Sequence, residues 1–189
     1  TTVQDAGRVG YAAQGYRSCG AADGYAYRLG NVLVGNDPGA AVLECTLRGA
    51  ALRFETDTVF ALTGAESPAV LDSTPVPYYA PLLAKAGSVL QMGAAKTGLR
   101  SYLAVGGGIA TPPVLGSRAT DVKCGIGGLE GRKLTAGDTL PIDSCDTAAL
   151  WQAITAKRLD RPLRDKTVCG GLHPMRVQGT QMLPLLRAV

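Results

Sequence analysis

The clearest pattern of apolar and polar positions lies near the start of the chain and predicts a helix over residues 21–35. Its apolar side chains recur with a period of about 3.6 residues and fall near one face, and they are Ala22, Tyr25, Ala26, Leu29, Val32 and Leu33. Asp23 would lie in the first turn, where a carboxylate favours the positive end of the helix dipole. Gly35, Asn36 and Pro38 predict the stop. The pattern favours a packing role for this helix over a catalytic one.

A different pattern follows, in which short apolar runs alternate with Gly, Pro and Asp turns. Such spacing is typical of a closed or nearly closed β-barrel or a β-sandwich. The predicted strands are Ala41–Thr46, Ala51–Glu55, Val59–Thr63, Val76–Tyr78, Ser88–Met92, Ser101–Val105, Arg132–Leu134 and Thr139–Ile142. The fold class predicted is therefore mainly β with one prominent helix.

The stretch 101–121, SYLAVGGGIATPPVLGSRATD, combines a predicted buried strand with an unusual loop. Gly106, Gly107 and Gly108 allow left-handed backbone angles and close approach of other groups. Polar side chains then follow, including Arg118 and Asp121, and polar groups on a rigid strand and loop suit a binding site. The alternative is a tight turn with a solvated Arg–Asp pair.

The last part of the chain changes character. Leu150, Trp151 and Ile154 predict a helix that ends before Pro162, and the remaining tail has only weak strand signals. The sequence thus predicts a β-barrel lobe over residues 1–145. Residues 146–189 would form a helix and either a tail or the start of a truncated second lobe.

Composition excludes several classes of function. The net charge is +4, and the basic residues around Arg158 interleave with acidic ones, which favours a solvated helical face over a nucleic-acid site. No apolar run approaches the about 20 residues of a membrane helix. One histidine and five scattered cysteines predict no metal site. No secretion signal is visible, so reduced thiols and a cytoplasmic location are expected.

The remaining candidate chemistry consists of carboxylates, arginines, an amide side chain and backbone N–H groups. An arginine can hold a carboxylate or carbamate with a two-point fork, and glycine-loop N–H groups can stabilise an oxyanion. The predicted catalytic residues are Asp5, Arg118 and Asp121; the predicted substrate-binding residues are Asp23, Asn31, Glu44, Arg100, Gly106, Gly107 and Gly108. Arg8, near Asp5, belongs to the same inventory. A structural ion pair or turn cap is the alternative for each residue.

Several segments, in order and spacing, resemble the allophanate hydrolase subunit 2 family, which includes the C subunit of the ATP-dependent 5-oxoprolinase, KipA and a carboxyltransferase region of urea carboxylase. The segments are TTVQDAGRVGY (1–11), AYRLGNVLVGN (26–36), LECTLRG (43–49), ALTGA (61–65), RSYLAVGGGI (100–109), VLGSRATD (114–121) and IGGLEGRKLTAGDTL (126–140). The resemblance implies a cyclophilin-like β-barrel whose second lobe is largely missing here.

The resemblance also implies a function in a complex. The expected activity is ATP-dependent opening of 5-oxoproline to L-glutamate, or a related biotin-dependent, carboxyltransferase-like reaction on a small amide. Expected partners are an allophanate hydrolase subunit 1-like (KipI-like) protein and a lactam-utilisation subunit; a homo-oligomer is also possible. ATP would be used by a partner, since no phosphate-binding GxxxxGK[ST] loop is present. Biotin would be needed only in the urea carboxylase branch, and the isolated chain would be inactive. The alternative is a KipA-like regulator that antagonises a kinase inhibitor without catalysis.

Overall fold

A computed structural model describes residues 1–160, with the side chains of residues 1–156. Over this range the chain forms nine strands in two antiparallel sheets, two α-helices and one 3-10 turn. One sheet has the order β1 (Thr2–Gln4), β2 (Val42–Thr46), β9 (Arg100–Val105), β4 (Thr58–Gly64) and β7 (Pro81–Ala84); the other has β3 (Ala51–Arg53), β8 (Val89–Met92), β5 (Ala69–Leu71) and β6 (Thr74–Pro75). The predicted mainly β class is confirmed.

The two sheets share one apolar core. Phe60 and Leu62 of β4 and Leu103 of β9 meet Leu90 and Met92 of β8 in the opposite sheet. All seven residues of β4 are buried, since this central strand is covered on both faces. Burial of such side chains stabilises the fold by about 1.5–3 kcal/mol each. The core therefore fixes the sheet edges on which the polar residues lie.

The prominent helix, α1 (Gly24–Leu33), covers the outer face of the larger sheet. Its buried residues are Ala26, Tyr27, Gly30 and Asn31. The predicted apolar face is therefore rotated, and Val32 is 57% exposed. The rotation follows from Gly30, where a Cβ would lie only 3.1 Å from the Thr63 hydroxyl, so the small residue lets the helix approach β4.

The second helix, α2 (Thr147–Asp160), confirms the helix predicted after residue 146. Leu150, Trp151 and Ile154 pack against the cluster beneath α1, and the Thr147 hydroxyl donates to the Asp57 carbonyl at 2.9 Å. The start of the predicted second segment thus packs on the β structure. The division at residue 145 stays a prediction, and the predicted tail and second lobe lie outside the described residues.

Three strand predictions are wrong. Residues 76–78 form no strand, because the hairpin of β5 and β6 precedes them and β7 follows. Residues 132–134 and 139–142 make only isolated bridges, Leu129 with Arg132 and Ile109 with Ile142. Strand β1 was not predicted from its polar sequence; it forms because Thr2–Gln4 pairs with β2 and buries Val3. Between residues 1 and 160, no helix is long and apolar enough to cross a membrane.

Candidate functional site

Asp5, at the end of β1, joins the start of the chain to the loop that carries Arg118. Its Oδ1 accepts hydrogen bonds from the Gly7 N–H at 2.8 Å and the Ser117 hydroxyl at 2.7 Å. Its Oδ2 accepts one from the Arg118 N–H at 2.5 Å. Because Asp5 is 9% exposed, these three donors satisfy a carboxylate that is largely removed from water. Asp5 therefore fixes the position of the Arg118 backbone.

Arg8 reaches the same loop from the other side. Its Nη2 donates to the Ala119 carbonyl at 2.6 Å and its Nε to the Val114 carbonyl at 3.1 Å. The side chain is 2% exposed, and its Nη1 has no hydrogen-bond partner among the described residues. Arg8 thus carries a buried charge that backbone carbonyls hold in place.

Asp121 closes the loop with a local turn. Its Oδ1 accepts from the N–H groups of Lys123 at 3.0 Å and Cys124 at 3.2 Å. Burial acts to raise the pKa of Asp121, but these N–H groups and the thiols of Cys124 and Cys19 outweigh it, so the pKa lies below its usual range. Asp121 is therefore held as a carboxylate. A lowered pKa makes it a weak base, which suits charge stabilisation better than proton abstraction.

A second glycine-rich segment, residues 125–131, presses against this loop. A Cβ at Gly127 would lie 2.1 Å from the Ala119 carbonyl oxygen and 2.6 Å from Arg8 Nη2. A Cβ at Gly128 would lie 2.0 Å from the Thr120 hydroxyl. Both glycines also have positive φ, +70° and +54°. Only glycine fits these positions, and the tight contact fixes the Arg8 guanidinium.

Three predicted residues form a separate network at the start of α1. Asp23 caps the helix by accepting from the N–H groups of Tyr25 and Ala26. Glu44 Oε2 accepts from the Ala22 N–H at 2.8 Å and from the Tyr102 hydroxyl at 2.9 Å, while Arg100 lies 3.4 Å from its other oxygen. The Tyr102 hydroxyl in turn accepts from the Asp23 N–H at 2.7 Å. The network thus connects the helix start to β2 and β9.

The remaining predicted residues meet at the other end of α1. Asn31 is fully buried and donates to the Ala40 carbonyl at 2.8 Å. The N–H groups of Gly106, Gly107 and Gly108 donate to Val59, Asn36 and Val105, respectively. These three N–H groups therefore have acceptors within the chain, and the predicted binding role of the glycines stays a prediction. Gly107 has φ +88°, and a Cβ there would lie 2.3 Å from the Asp143 carbonyl, which confirms the predicted strained, closely packed glycine.

The structure thus sorts the predicted residues into three groups. Of the predicted catalytic residues, Arg118 and Asp121 lie on the loop of residues 114–121, and Asp5, at the end of β1, binds this loop through the Ser117 hydroxyl and the Arg118 N–H. The N–H groups of the glycine turn make no hydrogen bond to Arg118 or Asp121, although the three glycines and these two residues come from one stretch of sequence. The predicted site omitted Tyr102 and Tyr27. Tyr102 lies inside an apolar strand, and such a tyrosine indicates a hydrogen-bonded network, because its buried hydroxyl needs a partner. Within the part of the chain that the structure describes, no three His, Cys, Asp or Glu side chains could hold a metal ion.

Several buried polar atoms have no hydrogen-bond partner within residues 1–156, and three of them lie on or beside the loop of residues 114–121: Arg8 Nη1, Arg118 Nε and Gln4 Oε1. Tyr27 Oη and Thr111 Oγ1 also lack partners within that range. Gln4 lies at this loop because its amide donates to the Thr120 carbonyl. Burial, aided by the charge of Asp5, raises the pKa of Tyr27. Unpaired buried polar groups are rare and costly, so this loop is the leading candidate for a functional site.

The chain belongs to the carboxyltransferase domain family, subdomains A and B, whose pattern it matches over residues 14–182. It is 49% identical to the 5-oxoprolinase C subunit of Escherichia coli over 164 residues, which cover 84% of this chain and 53% of that protein. It is 41% identical to urea amidolyase of Saccharomyces cerevisiae over 145 residues, covering 76% of this chain and 8% of that protein.

A solved structure agrees with these sequence relatives. The crystal structure of Kluyveromyces lactis urea carboxylase superposes with a TM-score of 0.75 at 38% identity, covering 77% of this chain and 13% of that one. The chain spans about half the length of the E. coli relative and a smaller part of the longer enzymes. The family resemblance identified from the sequence is therefore confirmed.

Proposed function

We propose that the chain is part of the C subunit of an ATP-dependent 5-oxoprolinase, which opens 5-oxoproline to L-glutamate. The observation that carries the proposal is the 49% identity to the E. coli relative across 84% of the chain. The 5-oxoprolinase C subunit of Haemophilus influenzae, which is 44% identical over 139 residues, supports the same choice. A urea carboxylase-type reaction is the related alternative, favoured by the likeness to urea amidolyase.

The loop of residues 114–121, together with Asp5 and Arg8, which bind to it, is the proposed site of this function. Asp5 positions the Arg118 backbone, the half-buried Arg118 side chain binds the substrate, and Asp121 supplies fixed negative charge. The substrate-binding role of Asp23, Glu44, Arg100 and Asn31 stays a prediction, and in this conformation these side chains make hydrogen bonds or ion pairs within the chain near α1.

The proposal includes partners and a location. A subunit 1-like protein and a lactam-utilisation subunit would complete the complex in the cytoplasm, with ATP used by a partner. In the urea carboxylase branch, biotin on a separate carrier would act as a substrate rather than as a resident cofactor. A KipA-like regulatory role remains a prediction that requires no catalysis.

The test is an assay of glutamate formation from 5-oxoproline and ATP. The full-length protein should be supplied with both partner proteins, and each component should be omitted in turn. We expect glutamate only when all components are present, and no product from the isolated chain. Turnover of urea but not of 5-oxoproline by the complete complex would select the urea carboxylase branch. Absence of turnover with either substrate would favour the regulatory role.

A further inference from the structure

Arg8 is a buried cation without a carboxylate contact. It is 2% exposed, and the ion pairs found among the described residues involve Asp57, Glu44, Glu130 and Asp138, with neither Arg8 nor Arg118 as a partner. Removing a charge from water is expensive unless it is paired. The arrangement of Arg8 therefore needs an explanation beyond packing.

The neighbouring carboxylates do not take up the arginine N–H groups. Asp5 accepts from Gly7, Ser117 and Arg118 backbone or hydroxyl donors, and Asp121 Oδ1 accepts from Lys123 and Cys124. These hydrogen bonds of Asp5 and Asp121 thus go to backbone N–H groups and the Ser117 hydroxyl, and neither carboxylate forms an ion pair with Arg8 or Arg118.

Two arginine N–H groups at this loop, one from Arg8 and one from Arg118, consequently have no hydrogen-bond acceptor within residues 1–156. The nitrogens are Arg8 Nη1 and Arg118 Nε, and both are shielded from solvent. The Arg8 guanidinium is bound at the carbonyl of Ala119, the residue after Arg118. Gly127 fixes that guanidinium from the other side, because a Cβ there would lie 2.6 Å from Nη2. Arg118 as a whole is only partly buried, so part of the residue is in contact with solvent.

We propose that Arg8 and Arg118 together form a receptor for the carboxylate of a small organic acid. Guanidinium groups bind carboxylates through strong, directional, charge-assisted hydrogen bonds. The identity of the acid rests on the proposed function: 5-oxoproline carries a carboxylate at neutral pH, whereas urea carries no charge. Arg8 is then the residue that makes the site select an anionic amide over a neutral one.

The experiment compares two lactams that differ in the carboxylate alone. Binding of 5-oxoprolinate and of 2-pyrrolidinone to the full chain is measured by calorimetry, and the side-chain N–H resonances of nitrogen-15-labelled arginine are followed in the unsubstituted protein. We expect 5-oxoprolinate to bind at least about tenfold more tightly, the gain of one charge-assisted contact of roughly 1.5–3 kcal/mol. It should also shift the Arg8 and Arg118 resonances.

Variants test the assignment to Arg8. Arg8→Lys should weaken 5-oxoprolinate binding about tenfold or more and leave 2-pyrrolidinone unchanged, because lysine keeps the charge but not the planar fork. Arg132→Lys is the control, since Arg132 pairs with Asp138 and Glu130 elsewhere. Equal binding of the two lactams, or unshifted Arg8 and Arg118 resonances at saturation, would overturn the receptor. Carboxylate binding without turnover in the full complex would instead overturn only the proposed reaction.

Discussion

At the scale of single residues, Gly107 combines a positive φ with a close backbone contact, and Gly137 has the positive φ alone. Gly107 has φ +88° and lies against the Asp143 carbonyl, whereas Gly137 has φ +93° with open space around it. Gly107→Ala should therefore reduce the free energy of unfolding by about 1–3 kcal/mol, from strain plus collision. Gly137→Ala should cost only the strain, about 1 kcal/mol. Urea denaturation of both variants measures the difference, and equal losses would show that the Asp143 contact adds nothing.

Asp121 gives a prediction about pH at the same scale. Its folded-state pKa is below its usual value, so its contribution to stability is complete above about pH 3.9, the unfolded value. That contribution is lost as the pH falls through the lower, folded pKa. The difference in unfolding free energy between the wild type and Asp121→Asn should therefore shrink on acidification from about pH 5 to pH 2. A difference that stays constant over this range would contradict the lowered pKa.

At the scale of elements, the start of α1 depends on Asp23. Its Oδ1 accepts from the N–H groups of Tyr25 at 3.1 Å and Ala26 at 3.0 Å. Asp23→Ala should lower the unfolding free energy by about 0.5–2 kcal/mol, whereas Asp23→Ser should retain most of the cap. Thermal denaturation compares the two. Similar melting temperatures for both variants, well below that of the wild type, would mean that the charge matters and the cap does not.

The pattern of apolar residues predicted which helices and strands are present more successfully than it predicted where the polar residues of these elements meet. Strands such as β4 and β9 were predictable because they are continuous apolar runs, and α1 because of its period and its stop signals. β1 was not, because its burial comes from pairing with β2. The rotated face of α1 was not predictable either, since it depends on the contact between Gly30 and Thr63 across the sheet.

The candidate site could also be predicted from the sequence only in part. The sequence indicated Asp5, Arg118 and Asp121, but more than 110 residues separate Asp5 from the other two. Hydrogen bonds between the two segments, among them those of Ser117 and Arg118 to Asp5, bring them together. The glycine run at residues 106–108 predicted a binding role, because a run of glycines can leave its backbone N–H groups accessible to a ligand. Here Gly108 donates to the nearby Val105 carbonyl, whereas Gly106 and Gly107 donate to Val59 and Asn36, which are distant in sequence and could not be predicted from the local composition.

At the scale of the whole molecule, the proposed function requires that the hydrogen bonds of Asp5 to Ser117 and Arg118 organise the reaction site. The Ser117 hydroxyl and the Arg118 N–H donate to different oxygens of Asp5. Asp5→Asn replaces one of these oxygens with an amide nitrogen, which cannot accept a hydrogen bond, so one of the two contacts is lost. Displacing Arg118 by about 1 Å can reduce turnover about 100-fold. Asp57→Asn is the matched control, since Asp57 lies on the surface and pairs with Lys85 at 2.8 Å.

The most direct measurement is kcat for glutamate formation from 5-oxoproline and ATP by the complete complex carrying each variant. Circular dichroism should first establish that both variants fold. We expect Asp5→Asn to lower kcat about 100-fold and Asp57→Asn to leave it unchanged. A folded Asp5→Asn variant with wild-type kcat would contradict the account, because the site would then not depend on the network that holds Arg118.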